Sequence, residues 1–229
     1  GFVIPATQAD FPTAVKFINM LRRVGIRVER ATADFSVNGK SYPKGSFVVK
    51  TDQAFRPHII DMFEPQAHPD VFPFPGSAPT PPYDIAGWTL AYQMGIEFDR
   101  VLDGFEGPFE SVTDWNVAPP RGVVSGAPNS RGYVFSARPN DSFIALNRLL
   151  KAGEEVSRLS AGLTVGSTVF PAGSFYVKAG KATRAQVQKI ADEVGLSFEG
   201  TRDAAPVTAT RMKTVRVGLW DQYGGSMPS

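Results

Sequence analysis

The two histidines of this chain are the residues best suited to ligate a metal or to move a proton near neutral pH. His58 and Asp61 lie three positions apart, so on a helix both side chains could face one ion. A catalytic zinc site, however, needs three protein ligands and a carboxylate that activates the bound water. His68, the other histidine, lies among prolines. The pattern favours surface or interface histidines, and an enzyme centred on the His58–Asp61 pair is kept as an alternative hypothesis.

Other catalytic patterns are not found in the sequence. It contains no Gly-x-Ser-x-Gly elbow, no Walker loop and no Gly-x-Gly-x-x-Gly fingerprint. It has no cysteine, which excludes disulfides and thiolate chemistry. We therefore expect no catalytic residue in this segment. A lack of cysteine fits an exported bacterial protein, although many cytosolic proteins also lack cysteine.

Charge and hydropathy argue against two further classes of protein. The formal net charge is +2 without a dense block of lysine and arginine, whereas nucleic-acid binding usually needs a concentrated basic face. No apolar run approaches the ~18 residues of a membrane-spanning helix. Gly1 is not a typical native start, so we expect a fragment whose partners are the neighbouring domains of the same polypeptide.

A turn-and-strand sequence occurs twice. Residues 41–50, Ser-Tyr-Pro-Lys-Gly-Ser-Phe-Val-Val-Lys, return as residues 168–178, Thr-Val-Phe-Pro-Ala-Gly-Ser-Phe-Tyr-Val-Lys. Proline at the first bend position and glycine two residues later are typical of a turn, and the β-rich run after them is typical of a strand. Each copy therefore predicts a turn that leads into a strand.

The repeat extends beyond this turn at a constant offset. Tyr42 corresponds to Phe170 (170 − 42 = 128), and the same offset relates Asn19 to Asn147, Leu21 to Leu149, Gly25 to Gly153, Val28 to Val156 and Arg30 to Arg158. Residues 2–4 match residues 133–135 at an offset of 131, and residues 94–99 match residues 194–199 at an offset of 100. The first copy therefore carries an insertion of 128 − 100 = 28 residues between Lys50 and Gly95.

These matches predict an α/β fold of two similar β-α-β-β-α-β units, an internal duplication with helices packed on a mixed sheet. The first unit is predicted to span residues 1–102, with a Pro-rich insertion within about 51–83. A linker is predicted for residues 103–131 and the second unit for residues 132–201. Residues 202–229 are predicted to hold a linker and the first strand of a following, truncated domain.

Local patterns predict the individual elements. The helices are one between the cap Asp10 and the stop Gly25, and short ones at residues 54–63 and 85–94. Residues 35–37 and 47–49 are predicted to form a hairpin-like excursion. Further strands are predicted at residues 26–30, 96–98 and 215–220.

The insertion supplies a candidate contact surface. Seven of the 19 prolines fall between Pro65 and Pro82, so this stretch is neither helix nor central strand. It is either a solvated loop or a rigid arm that packs on a neighbour, because its aromatic residues could mark a contact. The candidate contact residues are Arg56, His58, Phe72, Phe74, Tyr83, Asp84 and Trp88.

Four basic residues occupy equivalent places in the two copies. Arg30 corresponds to Arg158, and Lys50 corresponds to Lys178. Such repeated charges could line a groove for an anionic small molecule between the two copies. The alternative is that they are edge-strand charges, which hinder aggregation. A small-molecule-binding module is therefore the second functional hypothesis.

Several stretches together resemble one protein family. They are residues 42–49 (Tyr-Pro-Lys-Gly-Ser-Phe-Val-Val), 56–57 (Arg-Pro), 64–66 (Glu-Pro-Gln), 82–90 (Pro-Tyr-Asp-Ile-Ala-Gly-Trp-Thr-Leu), 93–95 (Gln-Met-Gly), 216–220 (Arg-Val-Gly-Leu-Trp) and 225–227 (Gly-Ser-Met). They resemble the middle region of large secreted bacterial proteins of the M14 zinc carboxypeptidase family, over nearly the whole chain. The resemblance implies a preceding zinc peptidase domain and a following domain similar to a class I glutamine amidotransferase.

The family's catalytic pattern has no counterpart in this segment. That pattern is a His-x-x-Glu pair, a distant histidine and a later glutamate that acts as general base. At His58-x-x-Asp61 an aspartate stands where glutamate is expected, and no distant histidine follows. The resemblance therefore implies a non-catalytic accessory or interdomain module, which packs on the peptidase domain or presents substrate to it. Zinc is expected in the peptidase domain of the parent protein. The resemblance to secreted proteins, together with the lack of cysteine, implies an extracellular or periplasmic location.

Overall fold

The computed structural model describes residues 1–65, 69–81, 89–218 and 220. The chain divides into two compact units. The first unit contains Gly1–Arg121 and Arg138–Asp141, and the second contains Gly122–Ala137 and Ser142–Ser229. Among the described residues, no helix has the length and apolar character needed to cross a membrane.

The first unit is built on a five-stranded sheet. Its elements are β1 (Phe2–Ile4), α1 (Phe11–Arg23), β2 (Glu29–Ala31), β3 (Phe35–Val37), β4 (Lys40–Tyr42), β5 (Phe47–Val49), α2 (Arg56–Phe63), α3 (Leu90–Gln93), β6 (Asp99–Arg100) and β7 (Phe109–Ser111). The strands of the sheet follow the order β6-β1-β5-β2-β7, and β3 and β4 form a separate hairpin. Strand β5 therefore lies at the centre of the sheet.

The second unit is built on a sheet with the same order of strands. Its elements are β8 (Gly132–Phe135), α4 (Asp141–Lys151), β9 (Val156–Arg158), β10 (Leu163–Val165), β11 (Thr168–Phe170), β12 (Phe175–Lys178), α5 (Thr183–Val194), β13 (Glu199–Thr201) and β14 (Thr210–Arg211). The sheet order is β13-β8-β12-β9-β14, with β10 and β11 in a separate hairpin. Strand β12 occupies the central place that β5 has in the first unit.

The coarse prediction of helices packed on sheets, an α/β architecture, is confirmed, but the prediction of a mixed sheet is corrected. Every pair of named strands is antiparallel, and a parallel pairing occurs at the isolated bridge between Val124 and Phe198. The physical reason is that a β-α-β crossover links β1 to β2, but β5 lies between these two strands. They run in the same direction without being neighbours.

Each central strand is buried on both faces because its side chains alternate. In the first unit Phe47 and Val49 join the core under α1, whereas Val48 packs with Phe35 and Tyr42 of the hairpin on the other face. Helices therefore cover one face of the sheet and the hairpin covers the other. This explains why the sequence of β5 is apolar without alternation.

The second unit buries its central strand in the same way. Phe175 and Val177 of β12 lie in the core formed with α4 and α5. Tyr176, on the opposite face, packs with Val165 and Phe170 of the hairpin.

The predicted helix between Asp10 and Gly25 is confirmed as α1. The Asp10 carboxylate accepts a hydrogen bond from the backbone N–H of Thr13 at 3.2 Å, which is the expected cap. Gly25 follows the helix with φ of +92°, a conformation that glycine adopts without strain. The helix predicted at residues 54–63 is also present, as α2.

Three predicted strand positions are corrected. The strand predicted at residues 26–30 forms at Glu29–Ala31, and the one predicted at residues 96–98 forms at Asp99–Arg100. In both cases apolar side chains that precede the strand, such as Ile26 and Ile96, pack in the core. The apolar pattern in the sequence therefore begins before the residues that pair with the neighbouring strand. Residues 215–218 of the third prediction form no strand, because no described strand pairs with them.

The hairpin prediction is also corrected. Strand β3 pairs with β4 instead of β5, across Asn38 and Gly39, whose φ angles of 51° and 76° are both positive. Two positive φ angles are what a two-residue type I′ hairpin needs, and Asn-Gly is its preferred sequence. The residues predicted as a linker, 103–131, include strand β7 of the first sheet and Val124 of the second unit.

The Pro-x-Gly-Ser turns connect each hairpin to its central strand. Gly45 has φ of +89° and Gly173 has φ of +93°, so both positions favour glycine. The Gly45 N–H donates to the Ala31 carbonyl and the Gly173 N–H donates to the Leu159 carbonyl, both at 2.8 Å. The two turns therefore have the same conformation and the same anchor.

The serine of each turn is completely buried, but the two hydroxyls differ in their partners. The Ser46 hydroxyl donates to the Pro43 carbonyl at 2.7 Å and accepts from the Ala6 N–H at 3.1 Å. The Ser174 hydroxyl has no hydrogen-bond partner among the described residues. A buried polar group without a partner costs free energy, whereas a bonded one contributes.

We expect Ser46→Ala and Ser174→Ala to differ in effect. Ser46→Ala should lower the free energy of unfolding of the first unit by about 1–2 kcal/mol, because it removes two hydrogen bonds and leaves the Ala6 N–H unpaired. Ser174→Ala should leave the second unit as stable or make it more stable. Hydrogen exchange at the amides of Val48 and Tyr176 reports the two units separately. Equal destabilisation by both substitutions would contradict the assignment of these bonds.

Candidate functional site

Helix α2 presents the first two candidate contact residues. Its buried side is formed by Ile59, Met62 and Phe63, which leaves Arg56 exposed and His58 partly buried. The His58 Nε2 atom is itself buried and has no hydrogen-bond partner among the described residues. The helix is thus held to the core by its apolar side.

A metal site at the His58–Asp61 pair gains no further ligand from the described chain. Across residues 1–65, 69–81 and 89–218, no group of three or more histidine, cysteine, aspartate and glutamate side chains could hold a metal ion. His68 lies outside the described residues. The zinc-enzyme hypothesis therefore remains a prediction that these side chains do not test.

The Pro-rich segment contains a loop that is closed by its own hydrogen bonds. The Thr80 N–H donates to the Val71 carbonyl at 2.8 Å, and the Ser77 N–H donates to the Phe74 carbonyl at 3.1 Å. Gly76 has φ of +82°, as the third residue of a turn with proline in second place requires. The loop therefore has a defined backbone.

This loop presents apolar side chains to solvent. Val71, Phe72 and Phe74 are 53%, 54% and 65% exposed. We call these three residues the apolar loop surface. Contiguous exposed apolar groups of this kind mark contact sites more often than isolated ones do. Phe72 and Phe74 are both exposed on the same loop, and their role in a contact stays a prediction.

The remaining contact candidates cannot be placed. Tyr83, Asp84 and Trp88 lie outside the described residues. The helix predicted at residues 85–94 is described from Leu90 onwards, as α3.

The four basic candidates are not brought together within either unit. Arg30 lies opposite Phe47 on the face of the sheet that the helices cover. Lys50 follows β5 and points to the other face, where its ammonium lies 5.7 Å from the Phe109 ring centre. Arg158 is opposite Phe175 in the same way as Arg30 is opposite Phe47. A groove within one unit therefore cannot contain both of its predicted cations.

Lys50 is neutralised by its surroundings. Its ammonium lies 2.9 Å from a carboxylate oxygen of Glu106 and 3.8 Å from one of Glu29. Burial by itself would lower the pKa of Lys50, but the hydrogen bond to Glu106 and the charge of Glu29 outweigh it and raise the pKa. With two carboxylates beside it, Lys50 is poorly suited to bind an added anion.

Lys178 has a more open environment. Its ammonium lies 3.7 Å from a Glu155 oxygen and is 64% exposed. Together with Arg131, Ser157 and Tyr176 it lines a pocket of about 220 Å³ in the second unit. Two cations and one carboxylate therefore face this pocket, and the contribution of Arg131 was not predicted from the sequence because Arg131 lies outside the repeated turn.

Tyr176 forms the floor of the same pocket. Its hydroxyl lies 3.1 Å from the Arg131 carbonyl and 3.0 Å from the Asp203 carbonyl, so it donates to these backbone oxygens. Burial raises the pKa of Tyr176, the Arg131 charge acts against this and the Asp203 charge adds to it. The phenol is therefore protonated at neutral pH.

In each unit a carboxylate on an edge strand of the sheet makes a polar contact with the hairpin. In the first unit Asp99 of β6 contacts Lys40 at 2.6 Å, and Tyr42 lies beside both. In the second unit Glu199 of β13 accepts from the Thr168 hydroxyl at 2.8 Å. Asp99 and Glu199 match at the offset of 100, and Lys40 and Thr168 match at 128. The sequence offsets show that these residues are equivalent in the two copies. The contact between the hairpin residue and the edge-strand carboxylate is seen only in the folded structure.

The pH dependence of stability should report the environment of Tyr42. Burial, and then a hydrogen bond to Asp99, raise the pKa of Tyr42 to about 12, above the ordinary value near 10. The folded chain therefore keeps a proton that the unfolded chain loses, so stability falls as pH rises from about 10 to about 12.

Tyr42→Phe should remove this part of the decline in stability, and Phe170 already shows that phenylalanine fits the equivalent position. The measurement is the free energy of unfolding of both proteins as a function of pH. Parallel curves through this window would contradict the raised pKa.

Comparison with known proteins identified no relative. The chain matches no protein-family model, and neither a curated protein nor a solved structure is similar to it.

Proposed function

We propose that this chain is a non-catalytic accessory or interdomain module of a larger M14-like zinc metallocarboxypeptidase. In this proposal it packs on the peptidase domain or presents substrate to it. The observation that carries the proposal is the apolar loop surface, because Val71, Phe72 and Phe74 are more than half exposed on a loop with a defined backbone. Exposed apolar side chains on an ordered loop favour contact with another protein surface over solvation.

The loop has the properties of a preformed contact. Its prolines and its internal hydrogen bonds restrict the backbone before any partner arrives. Association then orders fewer groups, which lowers its entropic cost. Aromatic side chains are also enriched at the centres of protein interfaces.

The rest of the proposal comes from the sequence. The motifs that resemble the M14-like proteins suggest a parent with a zinc peptidase domain, in which the zinc would be held outside this segment. An extracellular or periplasmic location is proposed from the same resemblance and from the lack of cysteine.

We also propose that the two units arose by internal duplication, with the Pro-rich loop as an insertion in the first copy. The shared strand order, the matched Pro-x-Gly-Ser turns and the constant offsets in the sequence support this origin. In the second copy the central strand continues to α5 without such a loop, so a contact through the apolar loop surface belongs to the first unit alone.

The main proposal is tested by finding which part of the polypeptide binds zinc and hydrolyses peptides. Bound zinc and release of C-terminal residues from peptides should be measured for the 229-residue chain and for the longer polypeptide that contains it. We expect both properties in the longer polypeptide only. Zinc and hydrolysis in the shorter chain would overturn the proposal and make His58 and Asp61 the first residues to substitute.

The contact role is tested by the double variant Phe72→Ser/Phe74→Ser. In the 229-residue chain it should leave the melting temperature unchanged, because exposed side chains stabilise little. In the longer polypeptide it should destabilise the peptidase domain or expose the junction to proteolysis. Val169→Ser, which changes a side chain that is 71% exposed on the hairpin of the second unit, is the matched control. Equal effects of both variants would count against a specific contact.

As a second candidate function, we infer that the pocket of the second unit takes a small anion such as phosphate or a carboxylate. The supporting observation is that Arg131 and Lys178 face a pocket of about 220 Å³ with Glu155 as its one acidic lining residue. In the first unit, by contrast, Lys50 has two carboxylates within 4 Å.

Calorimetric titration of the chain with inorganic phosphate and with acetate tests this candidate. Lys178→Ala should weaken binding by about tenfold or more, the effect of losing one charge-assisted hydrogen bond. Lys50→Ala, at the equivalent position, should leave the affinity unchanged. No binding to the unaltered chain, or an equal loss in both variants, would refute an anion site at Lys178.

A further inference from the structure

The two units share an equivalent backbone hydrogen bond directly after their last strands. In the first unit the Val112 N–H donates to the Val28 carbonyl at 2.9 Å, and in the second the Met212 N–H donates to the Val156 carbonyl at 2.8 Å. These partners are related by the same offsets, 100 and 128, that relate the rest of the two units. The segments that follow, residues 113–117 and 213–217, are therefore equivalent in position.

In the first unit the following segment is bound along helix α1. The Asn19 side-chain amide makes two hydrogen bonds to the backbone of Val117, accepting from its N–H at 2.8 Å and donating to its carbonyl at 2.9 Å. The Arg22 guanidinium donates to the Thr113 carbonyl at 3.0 Å and lies 5.9 Å from the Trp115 ring centre. Val117 is buried in the core. Segment 113–117 is thus an integral part of the first unit.

In the second unit the equivalent segment is not bound. Val215 is 71% exposed and Val217 is 85% exposed. Asn147, which corresponds to Asn19, is exposed, and its side chain has no hydrogen-bond partner among the described residues. The helix flank that would receive the segment is therefore open.

The open flank carries the side chains that such a segment needs. Phe143, Asn147 and Leu150 recur at the four- and three-residue spacing of one helix face, and they correspond to Val15, Asn19 and Arg22 of α1. Phe143 is 50% exposed, whereas Val15 is buried at 2%. An apolar surface and an unpaired amide thus lie together on α4.

The differences between the two segments are matched by differences on the two helices. Asn147 has the same side-chain amide as Asn19. Because Asn19 bonds to backbone atoms of Val117, the equivalent bonds of Asn147 would not depend on which side chain stands at residue 217. The Arg22–Trp115 pair of the first unit corresponds to Leu150 and Val215 in the second. A cation and an aromatic ring are replaced together by two aliphatic side chains, which also attract one another.

We propose that the flank of α4 formed by Phe143, Asn147 and Leu150 is a docking site for residues 213–217 of this same chain. In the docked state the Val217 N–H donates to Asn147 Oδ1 and its carbonyl accepts from Asn147 Nδ2. Val215 packs on Leu150, and Val217 covers Phe143. The proposal rests on the equivalence of the two units and is independent of the accessory function, because it concerns the second unit alone.

Docking has a consequence for the organisation of the chain. It makes residues 213–217, which lie in the stretch predicted as a linker and strand beyond residue 202, a packed part of the second unit. It also fixes the point at which the chain leaves the unit, in the same way that Val117 fixes it for the first.

Amide hydrogen exchange of the 229-residue chain, followed by NMR, tests the docking. The Val117 amide is an internal reference, because Asn19 already holds it. We expect the Val217 amide to exchange at least about tenfold more slowly than an unstructured chain, the protection that one net hydrogen bond provides. Exchange of Val217 at the unstructured rate beside a protected Val117 would overturn the proposal.

Asn147→Ala identifies the partner. It should return Val217 to the unstructured rate without changing Val117, and it should not impair folding because Asn147 is exposed. Lys151→Ala, an exposed position on the same helix, is the matched control and should change neither amide. Protection of Val217 that persists in Asn147→Ala would mean that residues 213–217 are held elsewhere, which also overturns the proposal.

Substitution of the Leu150–Val215 pair provides a second test, with the protection of the Val217 amide as the readout. Leu150→Arg alone should reduce the protection of Val217, because a charge then faces Val215. Leu150→Arg/Val215→Trp recreates the pair of the first unit and should restore it. Failure of the double variant to recover protection would count against the equivalence of the two docking sites.

Discussion

The position of the central strand, β5 or β12, is the constraint on which each unit depends. The strand enters its sheet directly after a Pro-x-Gly-Ser turn, whose glycine N–H is bonded to the chain at the end of the neighbouring strand. Because it enters between two strands that a helix connects, it separates them and pairs with both of them in antiparallel orientation. It also places a hairpin on the face opposite to the helices. The apolar clusters on the two faces of each sheet therefore both include side chains of this one strand.

Polar contacts supplement the apolar packing of each hairpin. A carboxylate on the edge strand fastens the hairpin, through Lys40 in the first unit and through Thr168 in the second. The contact is an ion pair in the first unit and a hydrogen bond from a hydroxyl in the second, but it joins equivalent positions in both. An exposed ion pair such as Lys40–Asp99 contributes little free energy, so the hairpins are held mainly by their apolar contacts with the central strands. Burial of Tyr42 beside Asp99 shows that the same contact also changes the protonation behaviour of its neighbours.

The two units differ where their surfaces meet solvent. The first unit has the apolar loop surface and binds its following segment along α1, whereas the second has an open pocket beside Lys178 and an uncovered flank on α4. These differences arise in loops and on helix surfaces, where a change costs little stability. A shared scaffold with different surfaces fits a module whose two halves have different contacts.

Local features could be predicted from the residues alone. They are the ends of α1 at Asp10 and Gly25, helix α2, and the bends at Gly45 and Gly173, because each depends on neighbouring residues and on the φ angles that glycine permits. The sequence also contains the offsets that relate the two units. The pairing of the strands is seen only in the folded chain, because pairing joins residues that are far apart in the sequence and more than one apolar triplet could fill the central place. The folded structure places Arg30 and Lys50 on opposite faces of one sheet, since side chains alternate along a strand whose register the sequence does not state. In this structure Val117 is buried and Val217 is exposed, although the two residues follow the equivalent strands β7 and β14.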